Sequence, residues 1–355
     1  MSIINWIHMS DIHYNFENYD TMRMRDKTLE YLVKMNVKFD FILITGDIRY
    51  KGSNYTAHML DFINNLSIQL EIPKSNFFIV PGNHDINRSK LRTTIINGIL
   101  ANPDPVNEVN ELDLEIYNEL IRGQDEFNSF YMSSIGREYP KDQLHFIEER
   151  DKYNIVHVNT CLLSGQDGEE GKLIVGQKKL NQALKELGES NKINIAIGHH
   201  SIECLNPIEQ NLLMNNFADY SVSLYLSGHI HQPKSTFDTN NINDIFMFSC
   251  GSGMSDNFST AGIITGMIDL NHRRGKVVFH KWELQKEYWH IANDVSRKAP
   301  SGEFEFNINN IYPETQSDIL TMEKESRVTN IVNFYGSIQG QVHTGSGDII
   351  IKKLD

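Results

Sequence analysis

The chain is poor in cysteine, in long apolar runs and in positive charge, and each shortage removes a class of protein. Its three cysteines, Cys161, Cys204 and Cys250, are far apart and in no CxxC spacing, so they build neither a disulfide framework nor a zinc knuckle. A reducing, cytoplasmic setting is the expectation. No stretch approaches the ~20 consecutive apolar residues of a membrane span. The N-terminal "MSIINWIHMSDIHYN" has no basic segment ahead of an apolar run that Asn5 and His8 interrupt, so it reads as a first β-strand and not as a signal peptide. Lys and Arg number 33 against 46 Asp and Glu, a formal charge of −13. That balance argues against a surface made to hold phosphate backbones through clustered cations, although bound divalent cations would reverse it locally.

What is present is an alternation. Short runs rich in Ile, Val and Phe recur over residues 1–285 and end at polar or Gly-containing segments: "IINWIH", "FDFILITGD", "FFIVPGN", "YNIVHVNT", "INIAIGHH", "SLYLSGH" and "IFMFSCG". Between some of them the period changes to that of a helix. Met59, Ile63, Leu66 and Leu70 share one face, as do Leu180, Leu184 and Leu187 ahead of Gly188, a candidate C-cap. Strands alternating with helices predict a layered α/β domain with a largely parallel core. Residues 91–150 break the rhythm and predict an inserted, acidic helical cap. "AGIITGMIDL" and "GKVVFHKWEL", joined by "NHRRG", predict a hairpin on the sheet edge. Residues 286–326 read as an extension and linker, polar around 312–328. Residues 327–355, "RVTNIVNFYGSIQGQVHTGSGDIIIKKLD", read as a Gly-rich β tail. A segment that short does not bury a core alone, so it is expected to pack on the main domain, on a second copy or on a partner protein.

The strand ends carry the chemistry. "HMSDIHYN" supplies Asp11 and His13, "ITGDIRYKG" Asp47, "PGNHD" Asn83, "IGHHS" His199, and "LSGHIHQ" His229 and His231. In α/β sheets ligands bind at the carboxyl ends of strands, where residues distant in sequence converge. On an extended segment residues i and i+2 point the same way, which would aim Asp11 with His13, and His229 with His231, into one cavity. Seven N and O donors are too many for one tetrahedral zinc and suit two divalent ions sharing a carboxylate.

The order D-x-H, G-D, G-N-H-D, G-H, G-H-x-H resembles the calcineurin-like metallophosphoesterase superfamily over residues 3 to about 285. The resemblance implies two mixed β-sheets packed face to face, flanked by helices in four layers, with a dinuclear centre at the strand ends. It implies that Asp11, His13 and His231 hold one metal, that Asp47 bridges, and that Asn83, His199 and His229 hold the other. His84 would face the phosphate and serve the leaving oxygen, with Asp85 hydrogen-bonded to its imidazole. The expected cofactors are two divalent ions, Mn²⁺ foremost, with Fe, Zn²⁺, Co²⁺ or Ni²⁺ compatible with the same donors.

Ser/Thr protein phosphatases of the superfamily carry G-D-x-x-D-R-G and G-N-H-E. Here Tyr50, Lys51 and Asp85 depart from those patterns, and the blocks look instead like bacterial stand-alone phosphoesterases. The expected activity is hydrolysis of a phosphodiester, in a nucleotide second messenger or a nucleic acid. A phosphomonoesterase acting on a small metabolite is the alternative enzyme. A recognition or assembly component of a bacterial antiphage system, tethered through the tail, is the alternative of another kind. Arg49 and Arg88 flank the blocks and are candidates either for a phosphate clamp or for structural pairing. His200 is left open between substrate contact, support of a ligand and no role, and His8, His58, His145, His157, His272, His280 and His290 are expected to be structural or exposed.

Overall fold

The computed structural model describes residues 3–16, 18–188, 192–239, 244–255 and 259–308; the polar linker at 312–328 and the Gly-rich tail at 327–355 lie outside them. The first part of the chain forms β1 (Ile3–Met9), α1 (Tyr19–Lys34), β2 (Phe41–Thr45), α2 (Ala57–Gln69) and β3 (Phe77–Val80). Four helices and a strand follow: α3 (Lys90–Leu100), α4 (Pro105–Asn110), α5 (Leu114–Arg122), α6 (Asp125–Ile135) and β4 (Phe146–Glu149). Next come β5 (Tyr153–His157), α7 (Gln177–Leu184), β6 (Ile193–Ile197), α8 (Pro207–Asp219), β7 (Val222–Ser227), β8 (Lys234–Thr239) and β9 (Asp244–Ser249). The last strands are β10 (Gly262–Asp269), β11 (Arg274–Glu283), β12 (Tyr288–Ile291) and β13 (Glu303–Asn307).

These strands make two mixed sheets, as expected. One runs β12-β11-β10-β1-β2-β3, with β13 also on β11; the other runs β4-β5-β6-β7-β9-β8. Alternation within each strand explains why they stack. In the first sheet Ile7, Met9, Ile42, Ile44, Phe77 and Ile79 face α1, α2 and α6, while Trp6, Phe41, Leu43 and Phe78 turn inward against Ile155, Ile195, Leu224 and Phe248 of the second. On the second sheet's outer face Val156, Ala196 and Tyr225 pack beneath α7 and α8. Each large apolar side chain so buried contributes roughly 1.5–3 kcal/mol relative to exposure, so the helix–sheet–sheet–helix order is the arrangement that covers both faces of both sheets.

Four details differ from expectation. The β10–β11 hairpin pairs from Gly262↔Lys281 to Asp269↔Arg274, but it lies inside the sheet, because β1 pairs with β10 while β12 and β13 pair with successive halves of the long β11. Residues 288–291 and 303–307, inside the segment read as an extension, are therefore sheet strands. Helix α7 ends at Leu184 with Lys185 as its C-cap, one turn before Gly188. The 91–150 segment does contain α4, α5, α6 and most of α3, but it ends in β4, which pairs antiparallel with β5. Its helices bury Ile96, Val109, Tyr117 and Leu120 against Leu162, Leu163 and Ile174 in a small core of their own.

Candidate dinuclear metal centre

β1, β2 and β3 are mutually parallel, as are β5, β6, β7 and β9, so both sheets present carboxyl ends on one side. Asp11 and His13 follow β1, Asp47 follows β2, Asn83 follows β3, His199 follows β6, and His229 and His231 follow β7. The loops are tied together by backbone bonds: Asp11 N–H donates to Gly46 O, His13 N–H to Asp47 O, and Gly228 N–H to His199 O. The His229 N–H donates to Asp11 Oδ2 at 2.9 Å, linking the two sheets at the site. Two glycines are dictated by this crowding. A Cβ on Gly82 would sit 2.1 Å from Asp47 Oδ1, and one on Gly228 would sit 1.7 Å from Ser10 Oγ.

The extended alternation that was to aim Asp11 with His13, and His229 with His231, is not how they converge. All four lie beyond their strands with positive φ, as does Asp47: 51°, 45°, 68°, 52° and 52° in that order. Asp and His are among the side chains that tolerate this left-handed region best. The side chains nonetheless converge, Asp11, His13, Asp47 and His231 in one cluster and His229 in the adjoining one.

The donor atoms form two adjoining groups. His13 Nε2 and His231 Nε2 lie 3.1 Å apart, and His231 Nε2 is 3.1 Å from Asp11 Oδ1. In the second group Asn83 Oδ1 is 2.9 Å from His199 Nε2 and 3.2 Å from His229 Nδ1. Asp47 Oδ2 stands between them, 3.8 Å from His13 Nε2 and 3.5 Å from His199 Nε2. Ligands about 2.1 Å from one ion and at right angles around it are about 3 Å from each other, which is the spacing seen. Asp11 Oδ1 is buried beside His231 Nε2, and His199 Nδ1 is 2.7 Å from Thr45 O, which fixes the proton there and leaves Nε2 as a lone pair. Burial pushes the His13 pKa down to about 3 and holds His199 well below the imidazole range, so both are neutral donors. Burial pushes Asp47 well above the usual carboxylate range, with Asp11 adding to the rise. For Asp11 burial acts upward too, but the surrounding imidazoles, His231 foremost, prevail and hold it low. Two buried carboxylates beside the neutral donors His13 and His199 fit a divalent cation at each group.

His84 is brought to the same place, its ring 4.9 Å from that of His13, and burial lowers its pKa to about 4. Its expected bond to Asp85 is not formed. The Lys51 N–H donates to His84 Nδ1 at 2.9 Å, which puts the proton of the neutral ring on Nε2. The Asp85 carboxylate turns to the other side of the loop, accepting from Gly82 N–H at 2.9 Å, Tyr55 O–H at 2.8 Å, and Ile48 and Arg49 N–H at 3.3 Å. Four local donors outcompete one imidazole because a buried carboxylate is satisfied by whichever N–H and O–H groups surround it.

Arg49 and Arg88 are also resolved into different places. Arg49 is wholly buried, and its guanidinium bonds His84 O, Ser53 O, Asp85 O, Asn87 Oδ1 and the Glu126 carboxylate; it is a brace. Arg88 is half exposed and lines a cavity of about 580 Å³ together with Lys51, Asn83, His84, Asn87 and Asp167. No residue of the 91–150 insertion is among those lining that cavity; Ile96, Asn97 and Leu100 of α3 line a neighbouring cavity that shares Asp167.

Sequence reasoning left His200 open and missed the acidic loop beside it. His200 is fully buried, its ring forming one donor cluster with His199 and His229, its Nδ1 2.8 Å from Thr160 Oγ1 and its Nε2 3.5 Å from Glu169 Oε1. The segment "SGQDGEEG" (164–171) brings Asp167, Glu169 and Glu170 to the site's margin; its glycines at 165, 168 and 171, all with positive φ, were the available signal of a tight loop. Of the remaining histidines, His8, His145, His157 and His280 are buried and His58 and His272 are exposed.

Residues 4–233 match the calcineurin-like phosphoesterase family. Over 323 residues the chain is 35% identical to an uncharacterized metallophosphoesterase-like protein, YydB, of Bacillus subtilis (strain 168), an alignment that takes in 89% of this chain and 67% of that protein. The purple acid phosphatase PPD1 from yellow lupin (Lupinus luteus) seeds shares the fold, with a TM-score of 0.52 at 11% identity over 90% of this chain. The chain spans 55% of the length of that lupin structure.

Proposed function

The chain belongs to the calcineurin-like phosphoesterase family, and on that premise we propose that it is a phosphodiesterase whose substrate is a nucleotide second messenger or a nucleic acid. The observation that carries the reading is the position of Asp47 Oδ2 between two donor groups, with His84 beside them and open space beyond His84. Asp11, His13 and His231 would hold one divalent ion, Asn83, His199 and His229 the other, with Asp47 shared and Mn²⁺ the favoured metal. Such ions, when bound, neutralise the phosphate and lower the pKa of a water. His84 presents Nε2–H to the ester oxygen that leaves; as a neutral ring with Nδ1 occupied by the Lys51 N–H, it stabilises the departing oxygen by donating a hydrogen bond. The cavity past His84, about 580 Å³, has room for a leaving arm of nucleoside size. The three free, buried thiols suit a reducing cytoplasm.

With Mn²⁺ added, bis(p-nitrophenyl) phosphate should be turned over faster than p-nitrophenyl phosphate, and faster monoester turnover would sink the diesterase reading. His84→Ala should retain its metals by elemental analysis while kcat falls on the order of 10²–10⁴. Unchanged turnover would remove His84 from the leaving-group role.

A further inference from the structure

We infer that the cleft beyond His84 is a subsite for a second phosphate, one carried by the leaving half of the substrate and gripped by Lys51 and Arg88. The inference rests on the diesterase reading, in which the leaving half is a nucleotide fragment able to carry a phosphate of its own. Water adds its oxygen to phosphorus as the P–O bond to the leaving arm breaks. The electron pair and one proton go to the leaving oxygen, and the second phosphate departs intact on that fragment.

The charge of the wall is the first support. In a chain of formal charge −13, this cavity is lined by two cations, Lys51 and Arg88, and by one acid, Asp167. The state of those cations is the second. Arg49, as strong a base and only two residues from Lys51, is committed to five acceptors. Arg88, by contrast, has one ion pair, Nη1 to Asp167 Oδ1 at 3.7 Å, in which Asp167 is fully exposed. Exposed pairs of this length are worth little, so an incoming phosphate can displace the carboxylate. The Lys51 Nζ rests over the Tyr50 ring at 5.1 Å with its backbone N–H on His84, which keeps this cation next to the leaving oxygen. A cyclic mononucleotide would leave the subsite empty, since its leaving oxygen stays on the same ring and it carries no other phosphate. The substrates that fill it are phosphate-bearing fragments, joined either by a further phosphodiester along a strand or by a phosphoanhydride.

The test compares the dinucleotide TpT with the end-phosphorylated forms pTpT and TpTp, and with a dinucleoside diphosphate, under Mn²⁺. At least one substrate with a phosphate on its leaving half should have a kcat/KM about tenfold or more above TpT; preference for the end-phosphorylated dinucleotides identifies a strand, and preference for the dinucleoside diphosphate identifies an anhydride. In Arg88→Gln and Lys51→Gln that ratio should collapse towards one, whereas Asp167→Asn, which removes the competing carboxylate, should raise it severalfold. A ratio near one in the unmodified protein, or a ratio the Arg88 and Lys51 substitutions leave intact, overturns the subsite. Failure of the parent reading looks different: p-nitrophenyl phosphate would then outpace bis(p-nitrophenyl) phosphate.

Discussion

Behind the loop that follows β3, Asp85 collects four hydrogen bonds and Arg49 makes five; in front of it, Lys51 has a ring contact and Arg88 a loose ion pair. The residues are of the same chemical kinds and within a few positions of each other along two loops. What separates them is water. A buried charge without partners is prohibitively costly, so the back is fully satisfied and rigid. At the front solvent does the satisfying, and that is the condition under which a cation can exchange water for a ligand. The rigid face sets where His84 stands, and the open face meets what arrives.

The comparison can be broken in four places. Arg49→Leu should have the largest effect, since it strands the acceptors of Asp85, His84 and Ser53 on the buried side: a loss of about 3–5 kcal/mol in denaturant unfolding. A shift under about 1 kcal/mol would mean that the back is not a brace. Acid should reach buried groups next. Burial lowers the His145 pKa to about 4, below its unfolded value of about 6.5. The unfolded chain therefore binds the extra proton first, and stability present above pH 6.5 is lost as pH falls towards 4. His145→Gln should flatten the slope of stability against pH in that window by up to about 3 kcal/mol over its width; an unaltered slope contradicts the assignment. Tyr55→Phe removes one of Asp85's four donors and should cost about 1 kcal/mol, measured as a lower Tm. At the front, Arg88→Gln should change unfolding by no more than about 0.5 kcal/mol, and a larger loss would show that Arg88 too is structural.

How far the sequence carried depends on which of these faces is asked about. The gathering of the seven side chains proposed as donors, and the two-sheet architecture, were legible because each rests on a local pattern: a buried run, then a polar residue at its end. The partner of Asp85 was not legible, because Tyr55, Ile48 and Arg49 reach it from another loop. Arg49 and Arg88 could not be told apart for the same reason; burial is decided by α6, which supplies Glu126, and by the 164–171 loop, which supplies Asp167. The strands β12 and β13 escaped because "YWHI" and "EFEFN" are short and lie in polar surroundings, and only the length of β11 gives both a place to pair.

The positive φ angles at Asp11, His13, Asp47, His229 and His231 restrict the alphabet available at those posts. Under the proposed metal centre, a residue there has to satisfy two independent demands, a donor atom for a hard or borderline cation and a backbone that sits easily in the left-handed region. With carboxylate or imidazole donors, aspartate, glutamate and histidine meet the first demand; glycine, asparagine, aspartate and histidine meet the second most readily. Aspartate and histidine lie in the overlap, and they are what the five posts contain. For anyone altering the centre, asparagine tests the donor while sparing the backbone, whereas valine or threonine would disturb both at once and leave the two causes inseparable.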